Sequence, residues 1–369
     1  MSVPGQPAEA GGPQANSAHW SIQSLQGWHL PLLDDPAFLP LQPLLQRNLL
    51  LSVPERLLTA LVHRPPLASD VLVALRILPS GRHQALGLII CRRLNRSGTS
   101  WQVDHLRLAL LTQDDPAAPT RHAVAAALLR EAIQRARSAT SWMATASSLD
   151  STRLAVLREQ GFQPQRTDQF WRWQADRATG SPPPALPAQL QLRSLNRRSA
   201  SLLWHLEQAT CPAQLRQLLD RRIEDLLDQS GSRGWLLVDT SRNEAVAGVR
   251  WLADQPGSGQ RVEFTLHPAW LHWLGPAGEL LLRRYAAPGS TLWLVSDVAD
   301  TARHDWLQRL GAEPQGEQVL MARSVWRRHG PQPAERAARR IEAVLEQFQP
   351  RRRPLPTPVG PLGSALRQL

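Results

Sequence analysis

A chain of 369 residues, 42% of them hydrophobic, is long enough for two domains with a core each. All 42 basic residues are Arg, against 31 acids, and the formal charge of +11 fits either a coding bias toward Arg or a polyanionic partner. Two cysteines, Cys91 and Cys211, exclude a disulfide framework and a zinc signature, so no metal is expected; with no basic residue before Arg47 and no apolar run of roughly 18 to 20 residues, neither a leader nor a membrane span is expected, and the setting expected is cytoplasmic.

In chain order, residues 1–18 are small, polar and rich in Gly and Pro, a composition that cannot offset its ordering entropy, and disorder is expected there. A short strand then runs from Trp20 to Gln26, followed by helical segments at Pro36–Arg47 and Val53–Val62. Three strands at Asp70–Leu78, Ala85–Leu94 and Trp101–Leu111 follow, spaced closely enough for antiparallel hairpins. A long Ala- and Leu-rich helix is expected at Thr120–Arg137, then a strand in SWMATAS, a helix, and another strand. The segment 178–188 has four prolines in eleven positions and reads as a stiff linker.

Beyond it the order repeats. Expected are a strand at 189–195, helices at Arg197–Ala209 and Pro212–Asp228, and strands at Gly234–Val238, Ala245–Ala253 and Arg261–His267. A helix opening at Gly275-Pro276, a strand at Thr291–Ser296, a helix at Thr301–Leu310 and a strand near Gln318–Val325 complete the series. The repeat is also literal, because Asp150, Arg153, Gly161, Pro164 and Gln165 recur as Asp300, Arg303, Gly311, Pro314 and Gln315. A spacing of 150 residues signals a duplicated domain, since solenoid units repeat every 20 to 50 or so. The divisions expected are therefore a domain at 19–177, a linker at 178–188, a second domain at 189–328 and a tail at 329–369. The tail has a helix at Ala334–Phe348, and Arg327, Arg328, Arg336, Arg339, Arg340 and Arg351 to Arg353 concentrate positive charge in and beside it.

The order strand, two helices, three antiparallel strands, long helix, strand, helix, strand resembles the GNAT-type N-acetyltransferase fold. The segment Asp150-Ser-Thr-Arg-Leu-Ala-Val-Leu-Arg-Glu-Gln-Gly161-Phe162 resembles that family's ending, Asn-x-x-Ala-x-x-Leu-Tyr-x-x-x-Gly-Phe. The fold class implied is α/β (α+β): two tandem GNAT-like domains, each a mixed, mostly antiparallel sheet flanked by helices, plus the Arg-rich tail. The resemblance also implies acetyl-CoA, or another acyl-CoA, lying where the fourth strand splits from the fifth, with the next helix offering free N–H groups to the pyrophosphate. In the first copy those residues are Thr120, Arg121, His122, Ala123, Val124 and Ala125, with Ala at both positions where the family's loop has Gly. In the second copy, bulky residues and Pro276 replace the loop, so the first is the expected cofactor site.

Acyl transfer to an amine needs a base. The fourth strands supply Asp104 and His105 in one copy and Glu263 and His267 in the other; strand alternation would send Asp104 and His105 to opposite faces and Glu263 and His267 to the same one. Leu157 and Leu307 stand at the family's Tyr position, so the usual acid is missing. Asp150 and Asp300 read as helix N-caps, and Trp171, Trp173, Trp270 and Trp273 as core or interface residues. The function expected is acyl-CoA-dependent N-acetylation of an unidentified amine-bearing acceptor. The alternative is a non-catalytic interaction protein that binds RNA, ribosome or an acidic partner through its Arg-rich tail.

Overall fold

In a computed structural model, the residues described are 20–50, 69–110, 118–175, 186–230, 233–255, 259–287 and 289–324. The proposed helices at Val53–Val62 and Ala334–Phe348, with the rest of the Arg-rich tail, lie outside them.

The first half builds β1 (Trp20–Ser24), two 3-10 turns, a helix α1 over described residues 42–50, β2 (Asp70–Ile77), β3 (His83–Arg93), β4 (Ser100–Leu108), α2 (Arg121–Arg135), β5 (Ser141–Ser147), α3 (Ser151–Glu159) and β6 (Gln163–Gln174). The second half adds β7 (Leu190–Ser194), α4 (Ala200–Thr210), α5 (Ala213–Leu219), α6 (Ile223–Ser230), β8 (Gly234–Asp239), β9 (Glu244–Gln255), β10 (Gly259–Leu266), α7 (Pro276–Tyr285), β11 (Thr291–Asp297), α8 (Thr301–Arg309) and β12 (Glu313–Ser324). The single helix expected at Pro212–Asp228 is two, α5 and α6, because Asp220 turns the chain with a left-handed φ of 43°.

Local chemistry accounts for the repeated unit. Asp150 and Asp300 each accept the backbone N–H three residues on, from Arg153 at 2.9 Å and Arg303 at 3.1 Å, and so cap α3 and α8. At the other end Gly161 and Gly311 take φ of 82° and 80°. That left-handed turn lets Phe162 and Ala312 donate back to the carbonyls of Leu157 and Leu307 at 3.0 and 2.9 Å, closing both helices in the same way.

All twelve strands form one sheet in the order β1-β2-β3-β4-β5-β12-β6-β11-β10-β9-β8-β7. The sheet is mixed and mostly antiparallel, with helices against it. Its centre holds an exchange: β12, from the second half, lies between β5 and β6 of the first, while β6 lies between β12 and β11 of the second. Seven residues of each of β6 and β12 thus serve the opposite half, through paired ladders such as Met321 with Ala144 and Trp171 with Leu294.

The chain packs on both faces, as buried central strands require. On one face α2 and α3 cover Trp101, Val103, Trp142 and Ala144, while α7 and α8 cover Trp171, Val262, Phe264 and Leu294. On the other, the N-terminal segment covers β2 and β3 around Phe38, Leu45 and Leu88, and α4 and α6 cover β8 around Leu203 and Leu236. Here too the halves interlock. Leu215 of α5 packs on Met143, Leu320 and Ala322, and Arg96 bonds Asp225 through its backbone N–H at 2.7 Å and pairs with Asp228 through its guanidinium.

Candidate functional site: two splayed clefts and the charged seam between them

In each half two parallel strands begin together and then separate. β4 pairs with β5 from Ser100–Ser141 to Val103–Ala144, although β4 continues to Leu108. β10 pairs with β11 only from Gly259–Thr291 to Arg261–Trp293 and continues to Leu266. Beyond the last pair the strand edges have no ladder partner, and each V faces the head of the following helix. On its far side β4 carries an extra residue: Ile90 pairs with His105 and Cys91 with Val103, leaving Asp104 unopposed. This bulge breaks the strict alternation assumed for Asp104 and His105.

At the first V, the Thr120 hydroxyl accepts the Ala123 N–H at 3.2 Å, and the Thr120 carbonyl accepts that of Val124 at 3.1 Å. Among the described residues the N–H groups of Arg121 and His122 have no acceptor. Their side chains are occupied: Arg121 donates to the Ala109 carbonyl at 3.2 Å, and His122 stands 3.1 Å from Glu159. Val124 and Ala125 are buried in the core beneath α2, and Ala123 is exposed. A diphosphate would therefore meet backbone amides and the exposed Ala123. These residues fit an acyl-CoA at this helix head.

The second V does not fit one. Pro276 removes an amide from the head of α7, and Gly278 has no space beside it, since a Cβ there would lie 3.2 Å from Trp306. Within the V itself, Arg303 donates to the Phe264 carbonyl at 3.1 Å and pairs with Asp300 at 3.1 Å, so an arginine already holds the free edge of β10.

Arg153 and Arg303 are candidate site residues not singled out from the sequence, although the signal was present. Both stand where the family ending has Ala, and both belong to the literal repeat. Their surroundings differ. Burial lowers the pKa of each below the ordinary arginine value. Arg303 has two partners, whereas Arg153 has none among the described residues and its Nε is shut off from solvent. The Arg153 charge lies near Arg107, Asp150 and His105.

The candidate bases divide in the same way. Glu263 is held by Arg250, which also pairs with Glu207 at 2.8 Å. Burial favours the neutral acid, but the charges of Arg250, Arg221, Arg166 and Arg261 outweigh it and hold the Glu263 carboxyl below its usual range. It is a weak base as a result. Asp104 is paired with Arg92 at 2.8 Å. Burial lowers the pKa of His105; Asp104 works against this, and Arg107, Arg153 and Arg92 reinforce it. Its imidazole is neutral at pH 7 and able to take a proton. The Cys211 thiol is raised by burial and by Glu263, which leaves it protonated rather than nucleophilic. Trp171 and Trp173 are buried and donate to Ser296 and to the Leu310 carbonyl. No metal-ligating cluster occurs, and no helix is long and apolar enough to cross a membrane, among the described residues.

No protein-family model and no curated protein matches the chain. Among solved structures it is similar to a GCN5-related N-acetyltransferase from Sphaerobacter thermophilus, at 12% identity and TM-score 0.51, over 85% of this chain and 96% of that one. It is also similar to a tandem GNAT protein from the clavulanic acid biosynthesis pathway, at 16% identity and TM-score 0.49, over 83% and 98%. At such identities the likeness is one of fold. Two splayed strand pairs, two capped helices closing on Gly161 and Gly311, and the strand order around them make this a GNAT-type fold, present in tandem within a single sheet.

Proposed function

We propose that the protein is an acyl-CoA-dependent N-acyltransferase, most simply an N-acetyltransferase, that works in the first V and keeps the second half as structural support. The observation that carries this reading is the four-residue ladder of β4 and β5, which ends at Val103–Ala144 opposite a helix head whose first two amides are free among the described residues. The Arg121 and His122 N–H groups hold the diphosphate with the positive end of the helix dipole behind them. A bound acyl-CoA supplies the activated acyl group as a thioester.

The chain then needs to remove a proton from the acceptor amine, and neutral His105 is the group that takes it. Leu157 is buried where the family's Tyr would stand. Arg153, one turn earlier on α3, supplies a fixed positive charge in place of a phenolic proton. A cytoplasmic setting, where thiols stay reduced, suits this reading and the free Cys91 and Cys211.

Thermal melting of the full chain with acetyl-CoA tests it. At about 100 times the dissociation constant a ligand stabilises the native state by about 2.7 kcal/mol, worth several degrees. Replacing Ala123 with Glu should roughly halve the shift at the same ligand concentration, because a carboxylate at the helix head repels the diphosphate without disturbing the core.

A second reading, a non-catalytic interaction protein, is favoured by the filling of the second V by Arg303 and the pairing of Asp104 and Glu263 with arginines. No shift with acetyl-CoA together with a salt-sensitive shift with RNA would establish that reading instead.

A further inference from the structure

β4 and β10 are separated in the strand order by β5, β12, β6 and β11, yet charges of the first half come within electrostatic range of β10. Arg261 of β10 lies within electrostatic range of Arg92 and Asp104 from the first half and of Asp168 and Glu263. This seam, built by both halves, contains pairs that satisfy one another: Arg92 with Asp104 at 2.8 Å, Arg166 with Asp168 at 2.6 Å, and Arg250 with Glu207 and Glu263. Arg261 is the exception. Among the described residues it has no ion pair and no hydrogen bond; its Nε is shut off from solvent without an acceptor, and its guanidinium lies over the Phe170 ring, 4.9 Å from the centroid. Its terminal amino groups likewise have no hydrogen-bond acceptor among the described residues.

An enclosed cation without a partner costs stability, and an arginine cannot escape by losing its proton. Nor does the fold demand one. Arg261 is the third residue of the β10–β11 ladder, and the third residue of the matching β4–β5 ladder is the neutral Gln102.

We propose that the seam between the halves binds a small amine that also carries a carboxylate, with Arg261 gripping the carboxylate through its planar fork. A guanidinium would also suit a phosphate. Here, however, Arg92, Arg166 and Arg250 balance Asp104, Asp168 and Glu263, so Arg261 adds one uncompensated positive charge, which matches a single carboxylate better than a dianion or a nucleic-acid backbone. A zwitterion matches both signs: its carboxylate meets Arg261, and its ammonium shares Asp104, which stays 21% exposed while paired with Arg92. Asp104 lies next to His105 on β4, so an ammonium held there stands by the group assigned to deprotonate it. The role of this molecule as acyl acceptor rests on the transferase reading above; its binding does not.

The test is a calorimetric and melting titration of the full chain with the standard L-amino acids, each beside its own carboxamide. The expected result is that at least one amino acid raises Tm and its carboxamide does not. Arg261→Gln should abolish the shift, and Arg261→Lys should weaken binding tenfold or more, since an ammonium lacks the fork. Arg261→Gln without ligand should melt no lower than the parent, which an arginine serving only structure would not allow. A carboxamide as effective as its acid, binding unchanged by Arg261→Gln, or no response to any amino acid would overturn the proposal. An amino acid shift without an acetyl-CoA shift would leave this site standing and remove the transferase reading; the reverse would remove this site alone.

Discussion

The two halves put an arginine at the same place in the same V and treat it differently. Arg303 spans from Asp300 to the Phe264 carbonyl and fills the second V, whereas Arg153 has no partner among the described residues. The acidic strand positions differ in parallel: Glu263 is tied to the fully buried Arg250, and Asp104 is tied to an Arg92 that is 29% exposed. One duplicated frame therefore holds a closed copy and an open copy. The difference lies in which polar groups find partners, because an enclosed ion is tolerated only where something balances it, whether a neighbour or a ligand.

Separating the halves gives the strongest test of that comparison. The first half alone, residues 1–177, lacks β12 and has open edges on β5 and β6, so it should not be a folded monomer; it should aggregate or pair with a second copy by exchanging β6. Size-exclusion chromatography with light scattering checks this, and mixing with residues 178–369 should restore a single folded species. A folded monomer of the first half would show that the exchange is dispensable.

The ion pairs should divide next. Arg250→Met removes a guanidinium that is 1% exposed from between two carboxylates, and should cost about 3 kcal/mol or more in denaturant unfolding. Arg92→Met, at a wetter pair, should cost less than about 1 kcal/mol. Equal losses would mean that the seam is energetically symmetric.

His105 gives the next contrast, since the second half has Phe264 at the corresponding point of its strand. His105→Gln should lower kcat/KM by about 10² or more, and the parent profile should fall as pH drops through a value below about 6.5. Stability carries the same sign. Burial lowers the folded pKa of both His29 and His105, so the unfolded chain binds more protons. Stability is complete above about pH 6.5 and is lost as pH falls through the folded values. Only the rate effect should disappear in His105→Gln, because His29 still contributes to stability. Last, Ala123→Glu should weaken acetyl-CoA binding by about tenfold, or about 1.4 kcal/mol, by titration calorimetry, with melting of the free protein unchanged or slightly raised.

Much of this architecture was legible from short stretches of sequence. The Asp caps, the Gly endings of α3 and α8 and the strand runs of β2 and β3 depend on neighbours within a few residues, so they could be placed in chain order. The bulge at Asp104 could not be, because an extra residue on one strand is defined only against its partner, Ile90–Cys91 on β3.

The sequence by itself determined that one unit occurs twice and where the helices of its repeated ending begin and end; the family resemblance adds that Leu157 and Leu307 stand where the family has Tyr. Only the tertiary structure decided that β6 and β12 change places, since either strand is chemically able to line either neighbour and the choice rests on contacts across 150 residues. It alone decided that Arg303 would be engaged while Arg153 and Arg261 have no partner among the described residues, because the pairing of a charge depends on what the folded chain brings within about 4 Å of it.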